Sequence, residues 1–209
     1  MMINLREVLQ KYNIQPKGVV HIGAHFGQEA DEYIACGIKK AVFVEPCKGT
    51  YDELVSRNTG KFDDIKFFNV ACGADELGMQ TMNVSKVAEG QSNSLLKPKL
   101  HLQQHPEVIF TETEEVEVKK LDNLDFEKSD YDFLMMDVQG YELEVLKGAT
   151  ELMKNIKIVY SEVNNDQTYE GNALIEDLDN FLHWYGFERV ETYWPSKNWS
   201  WGDSVWVKR

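Results

Sequence analysis

Three carboxylates stand close behind short apolar runs. Glu45 follows Ala41-Val42-Phe43-Val44, Asp137 follows Phe133-Leu134-Met135-Met136, and Glu162 comes just after Ile158-Val159-Tyr160. Such runs, bounded by turn signals, read as buried strands, and open α/β sheets bind ligands just beyond the carboxyl ends of their strands. Acids there can accept hydrogen bonds from ligand hydroxyls or take a proton from a reacting one. A glycine loop completes the set. The stretch Gly18-Val-Val-His21-Ile-Gly23-Ala24-His25-Phe-Gly27-Gln-Glu29 is an apolar run ending in that loop, and a helical pattern from Gln28 to Cys36 follows it. This is strand, turn, helix.

The composition of the loop narrows the ligand. In a doubly wound sheet the first such turn holds a cofactor against the helix, and an acid roughly 20 residues on binds ribose hydroxyls. Glu45, followed by Pro46, occupies that place. A dinucleotide site needs G-x-G-x-x-G, whose second glycine lets backbone approach a pyrophosphate, and here that position is His25. An adenosyl ligand without phosphates remains open, and S-adenosylmethionine (SAM) is the common one.

The elements that must position these groups follow from periodicity. Asn4 with Glu7 is a capping signature for a short helix with Leu5, Val8, Leu9 and Tyr12 on one face, expected to lid an edge of the sheet. The helix after the glycine loop buries Ala30, Tyr33 and Ile34 and stops at Gly37; a second capping box, Thr50 with Glu53, opens a helix with Tyr51, Leu54 and Val55 inward. Residues 65–70 make a third strand ending at Ala71-Cys72-Gly73. Helical faces follow residues 131–136 and 158–160, the second running Leu174, Leu178, Phe181, Leu182, Tyr185 to Gly186. Phe187 to Tyr193 and Ser204 to Val207 pair as a final hairpin across an aromatic loop. Alternating strands and helices of this length imply a parallel sheet with right-handed crossovers. Residues 79–118 break the rhythm, and a connector that long usually carries function or disorder. A small hairpin, Met79–Val84 against Glu115–Val118, with a mobile loop over the cofactor is expected there, with His101 and His105 in a surface loop beside Pro106.

Strands centred near 19, 42, 67, 134, 159, 190 and 206 match the layout of the Rossmann-like SAM-dependent methyltransferases. Within these the chain resembles the FkbM-type family. The resemblance rests on His21-Ile-Gly-Ala-His25-Phe-Gly27, Val44-Glu45-Pro46, Asn69-Val-Ala-Cys-Gly73, and Met136-Asp137-Val-Gln-Gly140-Tyr-Glu142 with Val145-Leu-Lys-Gly-Ala149. It implies one α/β domain over residues 1–209, a seven-stranded, mostly parallel sheet with helices on both faces and a C-terminal antiparallel hairpin, with the insertion at about 79–118. It also implies SAM-dependent methyl transfer, with O-methylation of a small molecule or a sugar in a glycan foremost and N-methylation as an alternative; His21 and Gln139 keep a non-catalytic SAM or nucleoside-binding module open as another.

In that reading Gly23, Ala24 and Gly27 let the loop approach the methionine moiety, Glu45 and Pro46 hold the ribose, and Ala71 and Cys72 lie near the adenine. Asp137 is the first candidate for base or acceptor-orienting residue, with Glu162 on the neighbouring strand. Acids on adjacent strand ends, with Asn164 and Asn165, could also bind Mg²⁺. The sequence departs from the family's usual residues, which are Asp at His21, Asn at His25 and Glu at Gln139. That first acid generally helps hold the methionine end of SAM, so His21 would serve there as a neutral acceptor or be a structural histidine bonded to backbone; Gln139 removes a possible base or metal ligand. Trp194, Trp199 and Trp201 with Tyr169 and Tyr193 could wall an acceptor pocket.

Composition bounds the rest. A chain of 209 residues that is 43% hydrophobic can bury one sizeable core. A formal charge of −13 argues against broad nucleic-acid or anionic-membrane binding. Cys36, Cys47 and Cys72 lack C-x-x-C spacing and read as reduced. With no signal-like or membrane-length apolar run, no membrane insertion and a cytoplasmic location are expected.

Overall fold

The computed structural model describes residues 1–85 and 90–209. Asn4 caps α1 (Leu5–Lys11) as its spacing predicts, its side chain accepting from the Glu7 amide. The first half then alternates β1 (Gly18–Ile22), α2 (Ala30–Ala35), β2 (Lys40–Val44), α3 (Lys48–Asn58) and β3 (Asp64–Phe68). After the insertion come β7 (Phe133–Met136), α5 (Glu142–Lys147), β8 (Ile158–Asn164), α6 (Ile175–Trp184), β9 (Phe187–Tyr193) and β10 (Trp201–Lys208).

These strands form one seven-stranded sheet in the order β3-β2-β1-β7-β8-β10-β9. The pairs β3-β2, β2-β1, β1-β7 and β7-β8 are parallel, and β10 runs antiparallel to both β8 and β9. Chain order reverses between β1 and β7, so a crevice opens beyond their carboxyl ends. Val20, Ile22, Leu134, Met136 and Val159 pack on one face against α5 and α6; Val19, Ala41, Phe43, Phe133 and Ile158 pack on the other against α1, α2 and α3. Alternating side chains along strands buried on both faces account for the unbroken apolar runs.

The insertion forms a second, three-stranded sheet. β5 (Gly78–Ser85) pairs antiparallel with β6 (Phe110–Lys119), as the expected hairpin requires, and β4 (Ala71–Cys72) adds a parallel strand. A short helix, α4 (His101–Gln104), lies between β5 and β6. Residues 86–89, part of the loop expected over the cofactor, lie outside the described residues.

Four local expectations are corrected. The α1 face does not lid an edge: Leu5, Val8 and Leu9 pack on the sheet face with Val19 and Tyr160, and the Met2 and Ile3 amides donate to the Tyr160 hydroxyl. Ile34 is exposed because α2 turns only Ala30 and Tyr33 inward. α3 is capped at Cys47, which puts Thr50 inside its first turn, and its buried face is Leu54 with Asn58. Finally, His101 is buried and His105 half-buried, since α4 lies against Phe110, Tyr169 and the Trp201 end of β10.

Candidate active site

Beyond the carboxyl ends of β1, β2, β7 and β8 lies a cavity of about 460 Å³, in the range that takes a drug-sized ligand. His21, Gly23, Ala24, His25, Glu45, Pro46, Ala71, Cys72, Asp137 and Glu162 all line it. Gly27 does not: a Cβ there would meet Asn58 Nδ2 at 2.5 Å and Leu54 at 2.9 Å, so this glycine serves close packing of the loop on α3. Asn58 Nδ2 donates to Phe26 O and fixes that contact.

The glycine loop is tied to β2 at its tip. The Gly23 and Ala24 amides both donate to Val44 O at 3.0 Å, and a Cβ on Gly23 would lie 1.9 Å from Asp137 O. Gly23 has φ +75°, a region that favours glycine. The neighbouring Glu45 carboxylate is fixed by two backbone donors, His25 N to Oε2 and Cys47 N to Oε1, each at 3.0 Å. Burial pushes its pKa up to about 7 against the pull of those amides. Each oxygen keeps a further lone-pair site for a ligand.

His21 is buried, and its Nδ1 lies 3.1 Å from the Tyr33 hydroxyl, so its partner is a side chain rather than backbone. Burial lowers its pKa to about 4, which makes the imidazole neutral at physiological pH. Cys72 is buried in the wall, and burial pushes its thiol pKa far above the ordinary value.

Asp137 and Glu162 are joined by an amide. Gln139 Nε2 donates to Asp137 Oδ1 at 2.7 Å and to Glu162 Oε2 at 2.9 Å. Its own oxygen accepts from the hydroxyl of fully buried Tyr169 at 2.7 Å, and its backbone oxygen accepts from Ser94 Oγ at 2.8 Å. Gln139 takes φ +53°, uncommon for a side-chain-bearing residue and a mark of local constraint. Burial raises the Asp137 pKa to about 6, and burial with the Asp137 charge raises Glu162 as well. Asp137 does not cap the helix behind it. The N-cap of α5 is Tyr141, without a side-chain hydrogen bond, and Glu142 Oε1 accepts from the Val138 and Gly140 amides and shapes the turn that presents Gln139.

The Mg²⁺ arrangement is not supported. Among the described residues no group of three or more His, Cys, Asp or Glu side chains could hold a metal ion. The Gln139 amide bridges the two acids, Asn165 is exposed, and Asn164 is buried away from the cavity lining.

The aromatic wall is only partly as expected. Trp201 lines the cavity, with its ring 5.3 Å from the Trp199 ring in a near-parallel stack. Tyr193 is exposed on β9 and Trp194 packs against the core. Two features go beyond the expected site: Glu29 lines the cavity with the Met1 ammonium 3.6 Å from its carboxylate, and Tyr169 holds Gln139. Position supplied a signal for Glu29, directly after the glycine loop; nothing in the sequence joins Tyr169 to Gln139.

Comparison with known proteins agrees with this geometry. Residues 21–189 match the family model described as the methyltransferase FkbM domain. A 2-O-methyltransferase, NoeI, of Sinorhizobium fredii (strain NBRC 101917 / NGR234) is 27% identical over 175 residues, covering 78% of this chain and 71% of the relative. Two solved structures share the fold at low identity. Magnesium protoporphyrin IX methyltransferase of Synechocystis PCC 6803 with bound SAM has a TM-score of 0.55 at 12% identity, covering 98% of this chain and 76% of the other. A putative tRNA (m1A22) methyltransferase of Streptococcus pneumoniae in complex with SAM has a TM-score of 0.55 at 15% identity, covering 100% and 73%. The family model takes in the end of β1, all of β2, β3, β7 and β8 and the start of β9, together with the cradle built on Gly23 and Glu45, and the chain therefore belongs to the FkbM family of SAM-dependent methyltransferases.

Proposed function

We propose that the protein transfers a methyl group from SAM to a hydroxyl of a small molecule or sugar, with Asp137 as the general base. The observation that carries this is the Asp137–Gln139–Glu162 bridge in the cavity wall, in which Glu162 is buried and Asp137 and Gln139 are half-buried. A hydroxyl must lose its proton as its oxygen is methylated, and paired acids meet that need, whereas a neutral amine acceptor would not demand them. The 2-O-methyltransferase relative points to the same reaction class.

The residues present fit SAM. SAM supplies a methyl group on a positively charged sulfur. Glu29 and Asp137 give the cavity wall a negative character that favours a cationic ligand. Glu45, already held by two amides, is oriented to accept the two ribose hydroxyls, with Pro46 beside it. Ala71 and Cys72 wall the adenine side, and Gly23, Ala24, His21 and His25 enclose the methionine end, where Asp137 and Glu29 would accept from its ammonium. Asp137 also receives the acceptor's hydroxyl proton, and the Gln139 amide, donating to Asp137 and to Glu162, holds the Asp137 carboxylate in place and favours its ionised form. Such proton transfer contributes about 10²–10⁴-fold, and alignment of the reactants can supply up to roughly 7–11 kcal/mol.

The test is radiolabelled methyl transfer from SAM to a panel of hydroxylated acceptors, with Asp137→Asn and Glu162→Gln alongside. Asp137→Asn is expected to lose about 10²-fold or more in kcat while S-adenosylhomocysteine still binds. Full activity in that variant would remove Asp137 as base.

A further inference from the structure

We propose that the end of the cavity between the insertion and β10, walled by His101, His105 and Trp201, is the acceptor subsite, and that it takes an uncharged hydroxylated ring, a sugar residue without phosphate or carboxylate. The inference deepens the methyl-transfer reading above and rests on it.

The wall is continuous with the acid pair. Tyr169, which donates to Gln139, has its ring 5.4 Å from His101; the His101 and His105 rings are 5.1 Å apart; and His105 Nε2 is 3.0 Å from Trp201 Nε1. An indole N–H only donates, so His105 Nε2 is the acceptor and its ring proton sits on Nδ1, 3.4 Å from Glu107 Oε1. Trp201 is thereby pinned at its nitrogen, and Trp199 stacks on it. The junction is fastened a second time where Gln104 Oε1 accepts from Ser200 N and Ser200 Oγ, both at 3.1 Å. A rigid indole in the cavity wall offers an apolar platform for the C–H face of a ring. Polar groups adjoin this wall: Gln91, Ser92, Asn93 and Thr168 line the same cavity, with Ser92 Oγ 3.1 Å from His101 Nε2, and their amides and hydroxyls suit a ligand bearing several hydroxyls.

Charge selects among hydroxylated rings. Glu107, Asp137 and Glu162 line the cavity, and among the described residues no lysine or arginine does. The Met1 ammonium is at the wall near Glu29. His101 is neutral at physiological pH, since burial lowers its pKa to about 4. Phosphates and carboxylates are ordinarily recognised by arginine or lysine, and an anion beside the Asp137 carboxylate is repelled.

Saturation-transfer NMR on the protein loaded with S-adenosylhomocysteine tests this. The probes are methyl glycosides of neutral hexoses and 6-deoxyhexoses, their uronic acids and 6-phosphates, and oligosaccharides ending in the same sugars, which separate a free from a glycan-borne acceptor. Saturation transfer to at least one neutral sugar is expected, at least tenfold tighter than to its charged counterpart. Trp201→Ala should abolish it with S-adenosylhomocysteine affinity kept within threefold. Should that variant fold poorly, Glu107→Lys, at an exposed rim position, should raise affinity for the sugar phosphate at least threefold. No neutral sugar bound by the loaded protein, tighter binding of the charged counterpart, unchanged binding in a folded Trp201→Ala, or no gain in Glu107→Lys would each overturn the subsite. Failure of the wild-type protein to bind S-adenosylhomocysteine would instead overturn the methyl-transfer reading beneath it, and the subsite with it.

Discussion

At the scale of single residues, two carboxylates in the cavity wall have different surroundings. Glu45 has each oxygen held by a backbone amide, so its geometry is fixed before any ligand arrives. Hydrogen bonds to a charged group contribute about 1.5–3 kcal/mol. Glu45→Ala should therefore weaken S-adenosylhomocysteine binding by about 10- to 100-fold by calorimetry. Asp137 instead shares the Gln139 amide with Glu162, and burial pushes its pKa up to about 6. A base must be ionised to act, so kcat/KM should climb with pH through about 6 and level off above it. Gln139→Glu would gather another carboxylate where the amide now donates, and the climb should move to higher pH. A profile flat from pH 5 to 8 would contradict the assignment.

Secondary-structure elements decide where these residues stand, and Gly23 is the tightest junction between them. With φ +75° and Asp137 O in the place of its Cβ, it lets the end of β1 lie against the end of β7. Gly23→Ala should cost at least about 1–3 kcal/mol from backbone strain, more from the steric overlap, and should lower both the denaturant midpoint and cofactor affinity. Retained stability with retained binding would show that the loop can be rebuilt. The strands and most helices were legible because apolar periodicity and capping residues are local signals. β9 begins and ends at Phe187 and Tyr193 as read, and Glu45, Asp137 and Glu162 line one cavity. What was illegible depends on tertiary contact. Tyr169 reaches Gln139 across 30 residues of chain. His101 and His105 carried loop signals from Pro106 and polar neighbours, yet Phe110, Tyr169 and Trp201 pack around them. Gly27 looked like part of the ligand loop because sequence cannot distinguish a glycine facing a ligand from one facing a helix.

For the whole molecule, the crevice gathers buried acids in a chain of formal charge −13. Burial raises Glu45 and Glu142 to about 7 and Asp137 to about 6. The folded protein therefore holds protons that the unfolded chain has released from about pH 4 upward. Since the folded state binds more protons in that window, stability falls as pH rises through it. The melting temperature of the free protein should drop between pH 5 and 8, and a rise would contradict the burial of these acids. Cationic SAM should offset more of that loss at pH 8 than S-adenosylhomocysteine, whose sulfur is neutral. The most direct measurement is a crystal structure with S-adenosylhomocysteine bound. Both ribose hydroxyls are expected on the Glu45 carboxylate at about 2.5–2.7 Å, with the adenine beside Ala71 and Cys72 and the sulfur facing the Asp137 side of the cavity. A nucleoside seated elsewhere, or a Glu45 still bonded only to its own backbone, would contradict this placement.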